Sequence, residues 1–133
     1  MRAIHATAPA ACSSAICAGV HPASRSNSSV CSPSIGDGQG HTILHTVPYA
    51  SPAVQFVELP IGMDQDWHNA PARQIVVVLS GTIEVETTDG VVRRWGAGQA
   101  FLPADVTGQG HRTRCIGGAV QLLFAPLSEG FSF

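Results

Sequence analysis

His68, Gln74 and His111 are the side chains of this chain whose types could do chemistry together. A neutral imidazole either ligates a transition metal through one ring nitrogen or passes a proton near neutral pH, since its unperturbed pKa is about 6.5. Both histidines stand just before or at the start of a strand-like run, in polar settings that contain glycine. Gln74 adds a neutral carbonyl oxygen, a weak ligand for a hard cation and a poor one for zinc. Two imidazoles with a water or a substrate oxygen could hold Fe(II), Mn(II) or Ni(II). Alternatively, one histidine acts alone as general acid or base.

The remaining polar and aromatic residues have plainer readings. His5 and His21 lie in an N-terminal segment and are idle; His41 and His45 flank the first strand and read as surface or internally satisfied. Trp67 and Trp95 read as packing residues, and Asp105 reads as a turn cap rather than an acid. Arg73, Arg112 and Arg114 read as solvated, although one of them at a pocket mouth could receive an anionic substrate. Four cysteines, at positions 12, 17, 31 and 115, show neither a CxxC spacing nor a dense framework, which argues against a disulfide scaffold or a zinc knuckle.

The elements that must position His68, Gln74 and His111 are strands. Short apolar runs recur at Thr42–Val47, Ala53–Leu59, Gln74–Leu79, Thr82–Glu86, Val91–Trp95, Gln99–Leu102, His111–Ile116 and Ala119–Phe124. Gly81, Gly90, Gly96 and Gly98 are among the turn signals between them. Ile83-Glu84-Val85-Glu86 alternates, as a strand with one wet face does. Ile75–Leu79 is continuously apolar and predicts a strand buried on both faces. Nothing resembles a ten-residue amphipathic helix, so the pattern indicates an all-β sandwich or barrel. Residues two apart on a strand share a face, so Gln74, Val76 and Val78 form one row and His111, Thr113 and Cys115 another. With Gln74 facing the lumen, the interior is mostly apolar with a few polar groups near one mouth, the make-up of a small-molecule pocket.

The chain has 133 residues, enough for one domain. Residues 1–36 read as a disordered tail and 37–133 as the folded domain. Positions 1–34 hold eight Ala, eight Ser and no acidic residue, with neither a helical nor a strand period. The rival reading is a targeting peptide, but Ser13, Ser14 and Cys17 interrupt any apolar signal core, and Arg2 with Arg25 make a thin transit peptide. A cytoplasmic location is the expectation. Only 12% of the chain is charged, all seven basic residues are Arg, and the net charge is −2. That dispersed, mildly acidic balance argues against nucleic acid as a partner. No apolar run approaches the roughly 18 residues of a membrane span. No Gly-rich dinucleotide fingerprint follows a strand and opens a helix, so no nucleotide cofactor is expected.

The intervals between these residues resemble those of a known family. Gly62-x5-His68-x-Ala70-x3-Gln74-x6-Gly81 is similar to the first cupin motif, G-x5-H-x-H-x3,4-E-x6-G, in every interval. Gly98-Gln-Ala-Phe-Leu-Pro103 followed by Gly108-x2-His111 resembles the second, G-x5-P-x-G-x2-H-x3-N, with altered spacing around the proline. Residues 82–97 would be the short connection between the motifs, and the resemblance covers roughly residues 40–127. It implies a cupin β-barrel, the double-stranded β-helix or jelly-roll. The stretches around Asp66–Pro71, Arg73–Gly81 and Gly108–Arg114 look like small cupin-domain oxidoreductases of fungal clusters that make aromatic polyketides such as salicylaldehydes.

Three departures bear on the ligand set that the resemblance implies. Metal-binding cupins hold the ion with two histidines and a glutamate of the first motif and one histidine of the second. Here Ala70 stands for the second histidine, Gln74 for the glutamate, and Cys115 for the asparagine of the second motif. His68, Gln74 and His111 are then the candidate metal ligands, with Fe, Mn or Ni as the metal. Three functions stay open: a metal-dependent oxidoreductase acting on a small oxygenated molecule, a metal-free cyclase, isomerase or dehydratase using His68 and His111 as catalytic residues, and a non-catalytic ligand-binding cupin. The assembly stays open between a monomer and a homodimer, since cupins commonly dimerise and exposed edge strands need covering.

Overall fold

The computed structural model describes residues 31–36, 38–46 and 48–128. Among these, eight strands and no helix are present: β1 Cys31–Gly36, β2 Thr42–Thr46, β3 Gln55–Leu59, β4 Asp64–His68, β5 Gln74–Thr87, β6 Val92–Gly96, β7 Ala100–Phe101 and β8 His111–Pro126. The all-β expectation is met. β1 and β2 pair as a two-stranded sheet, and the others form one antiparallel sheet in the order β3-β8-β5-β6, with β4 on β8 and β7 on β5. No helix of the described residues is long and apolar enough to cross a membrane.

β5 and β8 are the frame. Their register runs from Gln74 opposite Pro126 to Thr87 opposite His111, with irregularities between Val78 and Thr82. An extra residue in a ladder bends the strand, and here the bend closes the sheet on itself. Gly81 sits in this bend at φ +81°, where a Cβ would come within 2.5 Å of the Ala119 carbonyl oxygen. Only glycine meets both conditions without strain. The closure brings Val76 and Val78 from before the bend against Ile83 and Val85 from after it, with Trp95, Val120 and Leu122 completing a buried cluster. Trp95 stacks on Phe101 with ring centroids 4.4 Å apart, the packing role expected of it. The result is a small β-barrel with an apolar inside.

One expectation changes. The strand over Ile75–Leu79 is buried on one face: Gln74, Val76 and Val78 point inward, Ile75 and Val77 are half-covered, and Leu79 is 44% exposed. β-branched residues suit the pleat itself, so a continuous apolar run does not by itself require a second buried face. Residues 31–36 of the expected tail are a strand, because its ladder to β2, from Cys31 opposite Thr46 to Gly36 opposite Thr42, is made by backbone groups and asks for no apolar period. Residues 1–30, with His5, His21, Cys12 and Cys17, lie outside the described residues.

Candidate functional site

β4 ends on His68 and β8 begins on His111, and the ladder places these two residues directly opposite each other. Their rings meet edge-on with centroids 4.5 Å apart and planes at 62°. The approach depends on Gly110, whose backbone lies against the His68 carbonyl with no space for a Cβ. The loop from Pro103 to Gly110 is tied to the residues after β4: the Asn69 side-chain amide donates to the carbonyls of Asp105 (3.2 Å) and Gly108 (3.0 Å), and the Ala70 amide donates to Asp105 O (3.2 Å). The Gln74 backbone amide in turn donates to Pro103 O at 3.3 Å.

Each imidazole has one nitrogen committed. His68 Nδ1 lies 2.7 Å from the Asp66 carbonyl oxygen, which can only accept, so Nδ1 carries the proton. His111 Nδ1 lies 2.5 Å from Asp105 Oδ2, and a carboxylate likewise accepts from it. In the neutral rings, the lone pair is therefore on Nε2 in both. The Asp105 and His111 side chains are only 7% and 12% exposed, so this contact is poorly screened by water.

Both histidines line a cavity of about 240 Å³ inside the barrel mouth. Val76, Ile83, Leu122 and Phe124 make its apolar wall. Gln74 and Ala70, each 4% exposed, face it as the sequence intervals anticipate, and Thr113 joins them from β8. Among the described residues, the Gln74 side-chain amide has no hydrogen-bond partner.

Asp105 is the residue that sequence reasoning misassigned. A loop Asp six residues before His111 has the ordinary signature of a turn cap; only the folded loop aims its carboxylate at the ring. The arginines are also corrected. Arg114 and Arg94 clamp the buried Glu84 carboxylate at 2.5 and 2.7 Å, and Arg112 lies 3.6 Å from Asp64 and 3.8 Å from Glu86. None of these arginines lines the cavity, so none is set to receive an anionic substrate there. The hydrogen bond from Arg94, with Arg114 beside it, holds the Glu84 carboxyl below the usual carboxylate range despite burial. Cys115 packs against the core instead of lining the cavity, and burial pushes its thiol up.

The donor set does not fit the ligand shell of metal-binding cupins. Two imidazoles and neutral amides line the cavity with no anionic side chain among them, while the Asp105 carboxylate is taken up by His111 Nδ1. Among the described residues, no group of three or more His, Cys, Asp or Glu side chains is placed to hold an ion. What the arrangement can do without one is take a proton at Nε2 of His111 while Asp105 stabilises the imidazolium.

No protein-family model matches the chain, and no curated protein matches it. Solved structures to which it is similar include a cupin domain from Bordetella pertussis, with 16% identity over 74% of this chain and 93% of that one and a TM-score of 0.44. A cupin domain from Schizosaccharomyces pombe shares 19% identity over 74% of this chain and 87% of that one, at a TM-score of 0.41. An RmlC-like cupin from Shewanella frigidimarina shares 28% identity over 59% of this chain and 71% of that one, at a TM-score of 0.39.

Proposed function

We propose that this chain is a small cupin-type protein that takes a compact, mostly apolar, oxygen-bearing molecule into its barrel and moves a proton on it. His111 is the base, His68 the second acid or base, and Asp105 the positioning residue. The reaction class is isomerisation, cyclisation or dehydration. The observation that carries this reading is the 2.5 Å contact between His111 Nδ1 and Asp105 Oδ2 in the cavity wall, which leaves Nε2 as the basic nitrogen. In the step itself, Nε2 takes a proton from the carbon next to a carbonyl, and the C–H electron pair passes into the enolate. The imidazolium then returns the proton to the same or a neighbouring atom. An oxidoreductase step in aromatic polyketide maturation rests on the sequence resemblance and would need a transition metal held by His68, His111 and the Gln74 amide, a set without an anionic donor.

Deuterium incorporation into acetophenone in heavy water tests the proposal. The protein should catalyse exchange at the carbon next to the carbonyl, and His111→Gln should lower the rate by at least about a hundredfold. Asp105→Asn should lower it less and shift the His111 ring proton away from Nδ1, read from nitrogen chemical shifts. Exchange that survives His111→Gln would sink the assignment. No exchange, with iron, manganese or nickel bound near one per chain and lost in His68→Ala, would move it to the metal-dependent oxidoreductase. Neither result would leave a binding protein.

A further inference from the structure

We propose that Gln74 sets the ligand class of the cavity, selecting an uncharged single-ring molecule that carries a carbonyl or hydroxyl group, and that carboxylates are excluded. This rests on the cavity being the ligand site of the proposed function. Three observations carry it. The first is size: a void of about 150 Å³ lined by apolar side chains takes a benzene-sized molecule, so 240 Å³ holds one ring with a short substituent. The second is charge. No Asp, Glu or Arg lines the cavity, the chain has no Lys, and the Asp105 carboxylate already sits beside His111. A carboxylate ligand would lose its water and find no fixed cation, only two imidazoles, and the charge of a protonated His111 is already balanced by Asp105.

The third is the state of the Gln74 amide. Its side chain is 4% exposed, lines the cavity, and has no hydrogen-bond partner among the described residues. An amide that lines the cavity without a protein partner is open to a ligand oxygen. Of the other two amides of the wall, Asn69 is committed to the carbonyls of Asp105 and Gly108, and Gln65 on β4 is exposed to solvent. Gln74 both donates and accepts, so it reads a carbonyl through its NH₂ and a hydroxyl through its oxygen. A site built to hydrogen-bond one group discriminates strongly against analogues that lack it.

Benzyl alcohol, acetophenone and benzoate, three probes of similar size, test this by titration at neutral pH while the Gln74 side-chain amide resonance is followed. That resonance is identified by its loss in Gln74→Leu. The two neutral probes should shift it and bind at least about tenfold more tightly than benzoate. Gln74→Leu should erase most of that advantage. Gln74→Glu, ionised, should keep benzyl alcohol, which can donate to it, and lose acetophenone, which cannot. The neutral preference should persist in His111→Gln, which removes proton transfer. Lost exchange with an intact preference therefore overturns the function alone, and intact exchange without the preference overturns the role of Gln74. Benzoate binding as tightly as benzyl alcohol, a preference untouched by Gln74→Leu, or a Gln74 resonance that no probe moves would each defeat the proposal.

Discussion

Gly110 lies with its Cα against the backbone of His68, so close that a Cβ would overlap the His68 carbonyl and come within 2.8 Å of the Asn69 nitrogen. Two separate segments, the end of β4 and the start of β8, are thereby brought near enough for the two imidazoles to touch.

Gly110→Ala should therefore cost far more than an ordinary glycine replacement. Gly98 has nearly the same backbone, φ +83° against +81°, with open space where its Cβ would stand. Gly98→Ala carries only the left-handed strain, about 1 kcal/mol. Gly110→Ala adds a backbone displacement and should cost at least about twice that. Urea unfolding midpoints at unchanged m-value compare the two. Equal costs would mean that β4 and the loop before β8 stand apart in solution.

The parts of this architecture written in local pattern are the parts legible in the sequence. Turn glycines and β-branched runs mark β3, β5, β6 and the two halves of β8, and the two-residue period puts Gln74, Val76 and Val78 on one buried row. The spacing of His68, Ala70, Gln74 and His111 likewise predicts that they share one cavity. What was not legible depends on contacts between distant segments. Asp105 becomes a partner of His111 only because Asn69 and Ala70 pin its loop. Glu84 reads as a wet-face residue, yet cross-strand arginines on both sides bury it. β1 was not legible because its sequence has no apolar period, and it shows only through its backbone ladder to β2.

The row also makes the tolerance of β5 uneven. Val78 is fully buried, whereas its neighbour Val77 on the outer face is half-covered. Val78→Ala should cost about 2 kcal/mol, two methyl groups plus the void they leave, and Val77→Ala under about 1 kcal/mol. Chemical denaturation of the pair measures this. Equal losses would place Val77 in a second core, as a strand buried on both faces requires.

Glu84 gives the fold an acid-sensitive clasp. Its carboxyl is held low, chiefly by the Arg94 hydrogen bond, so the folded state favours the ionised form more than the unfolded chain does. Such a group contributes stability that is present above the unfolded carboxylate pKa, about 4.3, and is lost as pH falls through the lower folded value. Glu84→Gln should thus melt below wild type at pH 7, and the gap should close as pH drops beneath about 4. A gap that stays constant on acidification from neutral pH would show that the charge of Glu84 contributes nothing and that the side chain acts only by its shape.

Ala70 is the place where the metal chemistry that the wall lacks could be restored. It is buried and lines the cavity with His68, two residues before it, and His111. Ala70→His would add a third imidazole to a wall that now offers two Nε2 nitrogens, and three histidines suit nickel or zinc far better than two histidines with a neutral amide. Titration with either metal alone should show affinity at least about tenfold above the parent. The new ring would also occupy part of a 240 Å³ cavity, so binding of a single-ring probe such as acetophenone should weaken in the metal-free variant. Because a buried alanine leaves little slack for a larger side chain, Ala70→Cys supplies a smaller donor on the same backbone and should raise zinc affinity as well. If both variants fold with the parent's melting temperature and neither gains affinity, position 70 does not converge with His68 and His111, and the three side chains do not share one wall of the cavity.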